Sequence, residues 1–137
     1  MALICDTGPL YAAMDVADQD HDVCSRLLES INEPVLVPSP VVVELDWLAG
    51  HRLGPDAFLR FLADAEDGRL EFVDLQTQDL ARVRELLDRY RDLSLGFVDA
   101  AVLAIVERLG EPKLATLDHR HFTIVRPRHV PALQLVP

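Results

Sequence analysis

Ala2-Leu3-Ile4-Cys5-Asp6-Thr7-Gly8-Pro9-Leu10 opens the chain with four apolar residues, one acid and the start of a helix. A short unbroken apolar run is what a strand buried on both faces requires. Pro9 stands in the first helical turn, where N–H groups lack partners and a missing donor costs nothing. A strand that ends on an acid and passes at once into a helix is the first half of a parallel crossover.

The same pattern recurs along the chain. Residues 34–37, 70–75, 113–117 and 133–136 read as further strands, and residues 20–31, 39–49, 55–67, 77–90 and 97–109 as helices. Ser39-Pro40 is a strong helix start, with Ser39 as N-cap, and Gly50 is expected to stop that helix. Leu80, Val83, Leu86 and Leu87 form a buried stripe, leaving Arg82, Arg84, Glu85 and Asp88 to solvent. Gly110 and Pro112 end the most apolar helix. Such alternation predicts an α/β protein with a parallel sheet covered by helices. No repeat or long linker divides residues 1–137, so they are expected to form one domain.

The composition narrows the class. Half of the 137 residues are hydrophobic, enough for one sizeable core. No run approaches the roughly 18 apolar residues of a membrane span, and Asp6 interrupts the N-terminal one, which argues against a signal peptide. Cys5 and Cys24 make no disulfide framework and fit a reducing cytoplasm. The net charge of −10 opposes simple attraction to nucleic acid. Its distribution is uneven, however. Residues 1–50 hold nine acids and one base, whereas His119, Arg120, His121, Arg126, Arg128 and His129 follow Asp118 without another acid. A basic edge beside that carboxylate keeps RNA open as a substrate.

Four acids adjoin apolar segments: Asp6 after Leu3-Ile4-Cys5, Glu44 after Val41-Val42-Val43, Asp99 after Phe97-Val98, and Asp118 after Leu114-Ala115-Thr116-Leu117. Each has a simple structural explanation. Asp6 could cap a helix, Asp99 favour a helix dipole, Asp118 start a turn, and Glu44 lie on a polar strip with Asp46 and His51. Topology offers a joint explanation: in parallel sheets, sites form beyond the carboxyl ends of strands. Four carboxylates on one edge, with no Lys or Arg flanking Asp6, Glu44 or Asp99, predict a divalent-cation site, and hard oxygen ligands favour Mg²⁺ or Mn²⁺. Zinc lacks a ligand set, since His119-x-His121 has no further His or Cys nearby. That pair is expected at the surface or against substrate. No phosphate-binding glycine loop and no nucleophile elbow occur.

Asp6-Thr7-Gly8-Pro9-Leu10, Ser39-Pro40-Val41-Val42-Val43-Glu44-Leu45, Leu95-Gly96-Phe97-Val98-Asp99-Ala100-Ala101 and Ala115-Thr116-Leu117-Asp118-His119-Arg120-His121-Phe122 together resemble the PIN-domain ribonucleases. The nearest branch is the VapC-like toxins of type II toxin–antitoxin (VapBC) modules. The four acids follow in order at separations of 38, 55 and 19 residues, and the likeness spans nearly the whole chain. It implies a three-layer α/β/α sandwich with a five-stranded parallel sheet and Mg²⁺- or Mn²⁺-dependent RNA cleavage. It assigns catalysis and metal binding to Asp6, Glu44, Asp99 and Asp118, with the first and third acids holding the principal ion. Thr7 and Thr116 match hydroxyl positions that support the acids.

The resemblance also implies an RNA substrate such as tRNA or rRNA, a cognate antitoxin, homodimerisation and no membrane partner. Gly8 and Ala101 depart from it, standing where many relatives carry Ser. Arg120, Arg126 and Arg128 are candidate phosphate contacts, while Trp47 and Phe122 read as core or interface residues. Two other readings compete: a catalytically silent PIN-fold module that binds proteins, and a DNA-directed nuclease of related fold.

Overall fold

The computed structural model describes residues 1–137 and contains five strands and seven helices. The strands are β1 (Leu3–Cys5), β2 (Val35–Pro38), β3 (Glu71–Val73), β4 (Lys113–Ala115) and β5 (Gln134–Val136). They form one all-parallel sheet in the order β3-β2-β1-β4-β5. The helices are α1 (Thr7–Met14), α2 (His21–Ser30), α3 (Ser39–Arg52), α4 (Asp56–Glu66), α5 (Leu80–Arg89), α6 (Phe97–Leu109) and α7 (His119–Ile124). The result is the expected α/β/α sandwich.

Burial explains why these elements hold. β1 is fully enclosed, with Leu3, Ile4 and Cys5 at 0 % exposure, which accounts for its unbroken apolar run. Leu114 and Ala115 of β4 and Val37 of β2 continue the same core. In α6 every residue from Ala100 to Val106 is buried. That helix passes through the interior and delivers Asp99 from its first turn. Gly110 ends it in the left-handed conformation at φ 70°, as expected from the sequence.

Several local expectations are corrected. Gly50 does not stop α3, which runs on to Arg52. A helical glycine costs only about 1 kcal/mol, and buried Ala49 with half-buried Leu53 anchors the last turn. Ser39 is not the cap. It is the first residue of α3, and its hydroxyl donates to Asp74 Oδ1 instead. The 77–90 helix begins as a 3₁₀ turn over Thr77–Asp79, and Leu80 is exposed. Arg82 does not face solvent. Its guanidinium donates to Glu107 on α6, to Glu85 and to the Arg126 carbonyl. Arg108 similarly joins Asp79 and the Asp74 carbonyl, so charged contacts tie α5 to the helix that carries Asp99.

Candidate metal and active site

The strand order reverses direction between β1 and β4, and the crevice beyond their carboxyl ends is where this topology places ligands. Asp6 follows β1 directly, and Asp118 follows β4 after Thr116 and Leu117. Glu44 enters from α3, which continues β2, and Asp99 from the first turn of α6. Mutual electrostatics link the four. The charges of Asp99 and Glu44 act on Asp6, and those of Asp118 and Glu44 act on Asp99. The carboxylates therefore share one edge.

Asp6 is the deepest, at 7 % exposure. It occupies the N-cap position of α1 in an extended conformation but makes no side-chain cap bond there. Its Oδ2 instead accepts from Thr116 Oγ1 at 2.9 Å. Burial pushes its pKa up from 3.8 to about 6, while the Thr7 backbone N–H and the Thr116 hydroxyl hold it down and the neighbouring acids raise it. No cation contacts this carboxylate. A deeply placed acid without a counter-ion is a group suited to a metal.

The remaining acids are progressively more open, with side-chain exposures of 22 % for Asp99 and 35 % for Asp118. Asp99 Oδ2 accepts the Gly96 N–H at 3.3 Å, so it does serve the helix start. Its pKa is nevertheless raised, chiefly by burial. Asp118 Oδ1 accepts the His121 N–H and caps α7. Glu44 is half-buried, unlike Asp46 and His51, which are exposed. The polar-strip explanation therefore fails for Glu44.

Thr116 connects two of the acids. Fully buried, it donates its single hydroxyl hydrogen to Asp6 and accepts the Asp118 N–H at 3.0 Å. Thr116→Val is expected to destabilise the protein by about 1–2 kcal/mol, because the buried Asp6 carboxylate and the half-buried Asp118 N–H each lose a partner. It is also expected to weaken Mn²⁺ binding about tenfold by freeing Asp6 to rotate. Urea denaturation and calorimetric titration measure the two effects, and unchanged Mn²⁺ affinity would deny Thr116 an orienting role. Thr7 differs: its Oγ1 is buried without a partner.

His121 is not at the free surface, one of the two places expected for it; it is half-buried against the acids. Its Nδ1 is 2.6 Å from Asp118 Oδ2 and 3.8 Å from Asp99 Oδ2, and its Nε2 is 3.2 Å from the Leu93 carbonyl. Burial disfavours the imidazolium, but Asp118, the Leu93 carbonyl and Asp99 outweigh it and lift the pKa above the ordinary histidine value. The only sequence signal was its position three residues after Asp118, which places it on the same helical turn.

The margins of the site are also defined. A Cβ on Gly8 would meet Leu117 at 3.2 Å, so Leu117 fills the space a serine would need. Ala101 is fully buried. Beside Glu44, a groove of about 860 Å³ is lined by Val43, Trp47, Asp74 and Phe97. Phe122 is core, as expected, whereas Trp47 is 60 % exposed and is not. Arg120 and Arg126 are exposed, and Arg128 is paired with Glu85.

Known proteins share this fold. The PIN domain family matches residues 3–126. Ribonuclease VapC26 of Mycobacterium tuberculosis is 33% identical over 125 residues, covering 91% of this chain and 93% of that protein. Among solved structures, the sarcin-ricin-loop-cleaving toxin VapC20 of Mycobacterium tuberculosis superposes with a TM-score of 0.76 at 22% identity, covering 82% of this chain and 87% of that one. VapBC2 from Rickettsia felis, bound to a promoter DNA fragment, gives 0.70 at 17% identity over 98% and 97% of the two chains. The structural likeness carries the fold; the family match and the relative carry the membership. With residues 3–126 matched and this relative 33% identical over 125 residues, the chain belongs to the PIN domain family.

Proposed function

We propose that this protein is a metal-dependent endoribonuclease that hydrolyses RNA phosphodiester bonds as the toxin of a toxin–antitoxin pair. One observation carries the reading. Asp6, buried and without a cation, stands with Glu44, Asp99 and Asp118 at the switch point of a parallel sheet. The chain's relative, the ribonuclease VapC26, and the sarcin-ricin-loop-cleaving toxin VapC20 point to RNA as substrate, and the VapBC2 complex points to an antitoxin as partner. Residues 1–137 act as one PIN-like unit on this reading, and homodimerisation belongs to the same proposal.

The donor set fits Mg²⁺ or Mn²⁺, since both accept carboxylate oxygen and tolerate open positions for water. Asp6 and Asp99 would hold the ion, with Glu44 and Asp118 acting directly or through water. A bound ion of this kind supplies Lewis acidity and lowers the pKa of a water. The chain's own residues do the rest. Thr116 fixes the Asp6 carboxylate, the Gly96 N–H fixes Asp99, and the crowded negative charge favours a cation. The exposed Arg120, two residues after Asp118, is a candidate contact for an RNA phosphate.

The test is cleavage of total RNA by the purified protein with Mg²⁺ or Mn²⁺ and with excess chelator. Cleavage that appears with the ion and vanishes with chelator is expected. Equal cleavage in both conditions would overturn the proposal. A protein that binds the ion but cuts no RNA would favour the silent-module reading instead.

A further inference from the structure

His121 is outside the four-acid set, yet it closes the outer half of the site. One donor atom from each of Asp99, Asp118 and His121 lies within 4.8 Å of the other two. An octahedral ion with bonds of about 2.1 Å sets neighbouring ligand atoms about 3.0 Å apart and opposite ones about 4.2 Å apart. The observed Nδ1 separations of 2.6 Å and 3.8 Å fall on either side of the first figure. Shifts of a fraction of an ångström bring all three atoms into range.

The other ring nitrogen is already committed. Nε2 meets the carbonyl of Leu93, at the end of the 3₁₀ turn Arg91–Leu93. A metal-ligating imidazole is oriented in this way: one nitrogen donates its hydrogen to a carbonyl, and the other presents its lone pair to the ion. Leu93 lies on a segment separate from both acids. The ring therefore has a support that does not depend on Asp118.

We propose that His121 Nδ1 is a direct ligand of the divalent ion, shared with Asp99 and Asp118, and that this nitrogen makes the protein select Mn²⁺ over Mg²⁺. The inference rests on the metal-dependent reading above. To ligate an ion, Nδ1 would have to present its lone pair, so any proton in the 2.6 Å contact with Asp118 Oδ2 would leave to solvent. Carboxylates and water serve both ions. An imidazole nitrogen suits a first-row transition ion and is a poor partner for Mg²⁺.

Pulsed EPR of the wild-type protein with Mn²⁺ alone, without RNA, provides the direct test. Nitrogen hyperfine coupling from a bound imidazole is expected, and it should disappear in His121→Asn. Calorimetry is expected to show Mn²⁺ affinity falling at least about tenfold in that variant, with Mg²⁺ affinity changing less than about threefold. Absent nitrogen coupling in the wild type would overturn the proposal. So would equal losses for the two ions, because His121 would then only steady Asp118. The spectroscopic result needs no RNA, so its failure leaves the ribonuclease reading intact. Nitrogen coupling in a protein that cuts no RNA would support this inference and overturn that one.

Discussion

Asp6→Asn and Asp99→Asn are each expected to lower RNA cleavage by about a thousand-fold or more while leaving the protein folded. Each exchange keeps the shape of the side chain and removes one negative charge from the set that holds the ion. Metal stabilisation of a phosphoryl transition state is worth several kcal/mol, and about 4 kcal/mol is a thousand-fold in rate. Asp118→Asn should cost less, about ten- to a hundred-fold, because Asp118 is the more open acid and already shares its carboxylate with His121. Single-turnover cleavage at saturating Mn²⁺ measures the loss, and circular dichroism on the same samples shows that the fold persists. Wild-type rates in both Asp6→Asn and Asp99→Asn would remove the acids from the mechanism.

The second large effect is on stability, and its sign is set by the raised pKa values. Asp6 titrates near 6 in the folded chain against 3.8 ordinarily, so between those values the folded state binds more protons. Stability of the metal-free protein therefore falls as pH rises from about 4 to about 6, by roughly 3 kcal/mol for this residue. Asp99 is shifted in the same direction and adds to the fall. His121 acts likewise at higher pH. Its raised pKa gives stability that is complete below the ordinary histidine value and is lost as pH rises through the folded one. Urea denaturation in chelator should thus show a steady decline from these groups between pH 4 and 8. Asp6→Asn should remove most of its lower part and raise stability at pH 7 by about 1–3 kcal/mol. Saturating Mn²⁺ should reverse the trend, since the ion binds the deprotonated ligands. A metal-free protein that gains stability across this range would contradict the crowded-acid description.

What the sequence revealed depended on how far apart the partners lie. Asp6, Asp99 and Asp118 were visible as acids against apolar segments, because a strand end or a helix start is a local pattern. Their meeting was inferable from the parallel crossovers alone. The side chains that hold them were harder to place. Only the resemblance marked Thr116 as a support of the acids; it reaches Asp6 across 110 residues, and no periodicity encodes that contact. Arg82 read as solvated because its partner Glu107 is 25 residues away on another helix. His121 is close to Asp118 in sequence, but its second contact, to Leu93, is 28 residues distant. Gly50 misled in the opposite sense: a weak local preference yielded to the packing of its neighbours.

The position of β1 determines the order in which the site comes apart. This strand is the middle one of five, laddered to β2 on one side and β4 on the other, and the Asp6 N–H itself donates to the Ala115 carbonyl at 2.8 Å. Its amides can exchange with solvent only when both ladders open, which amounts to unfolding the whole sheet. Asp99 and Asp118 stand instead at the starts of α6 and α7, and helix ends fray locally at far lower cost. On the metal-dependent reading proposed above, an ion would exchange by loosening of the rim, while the innermost carboxylate stays in register.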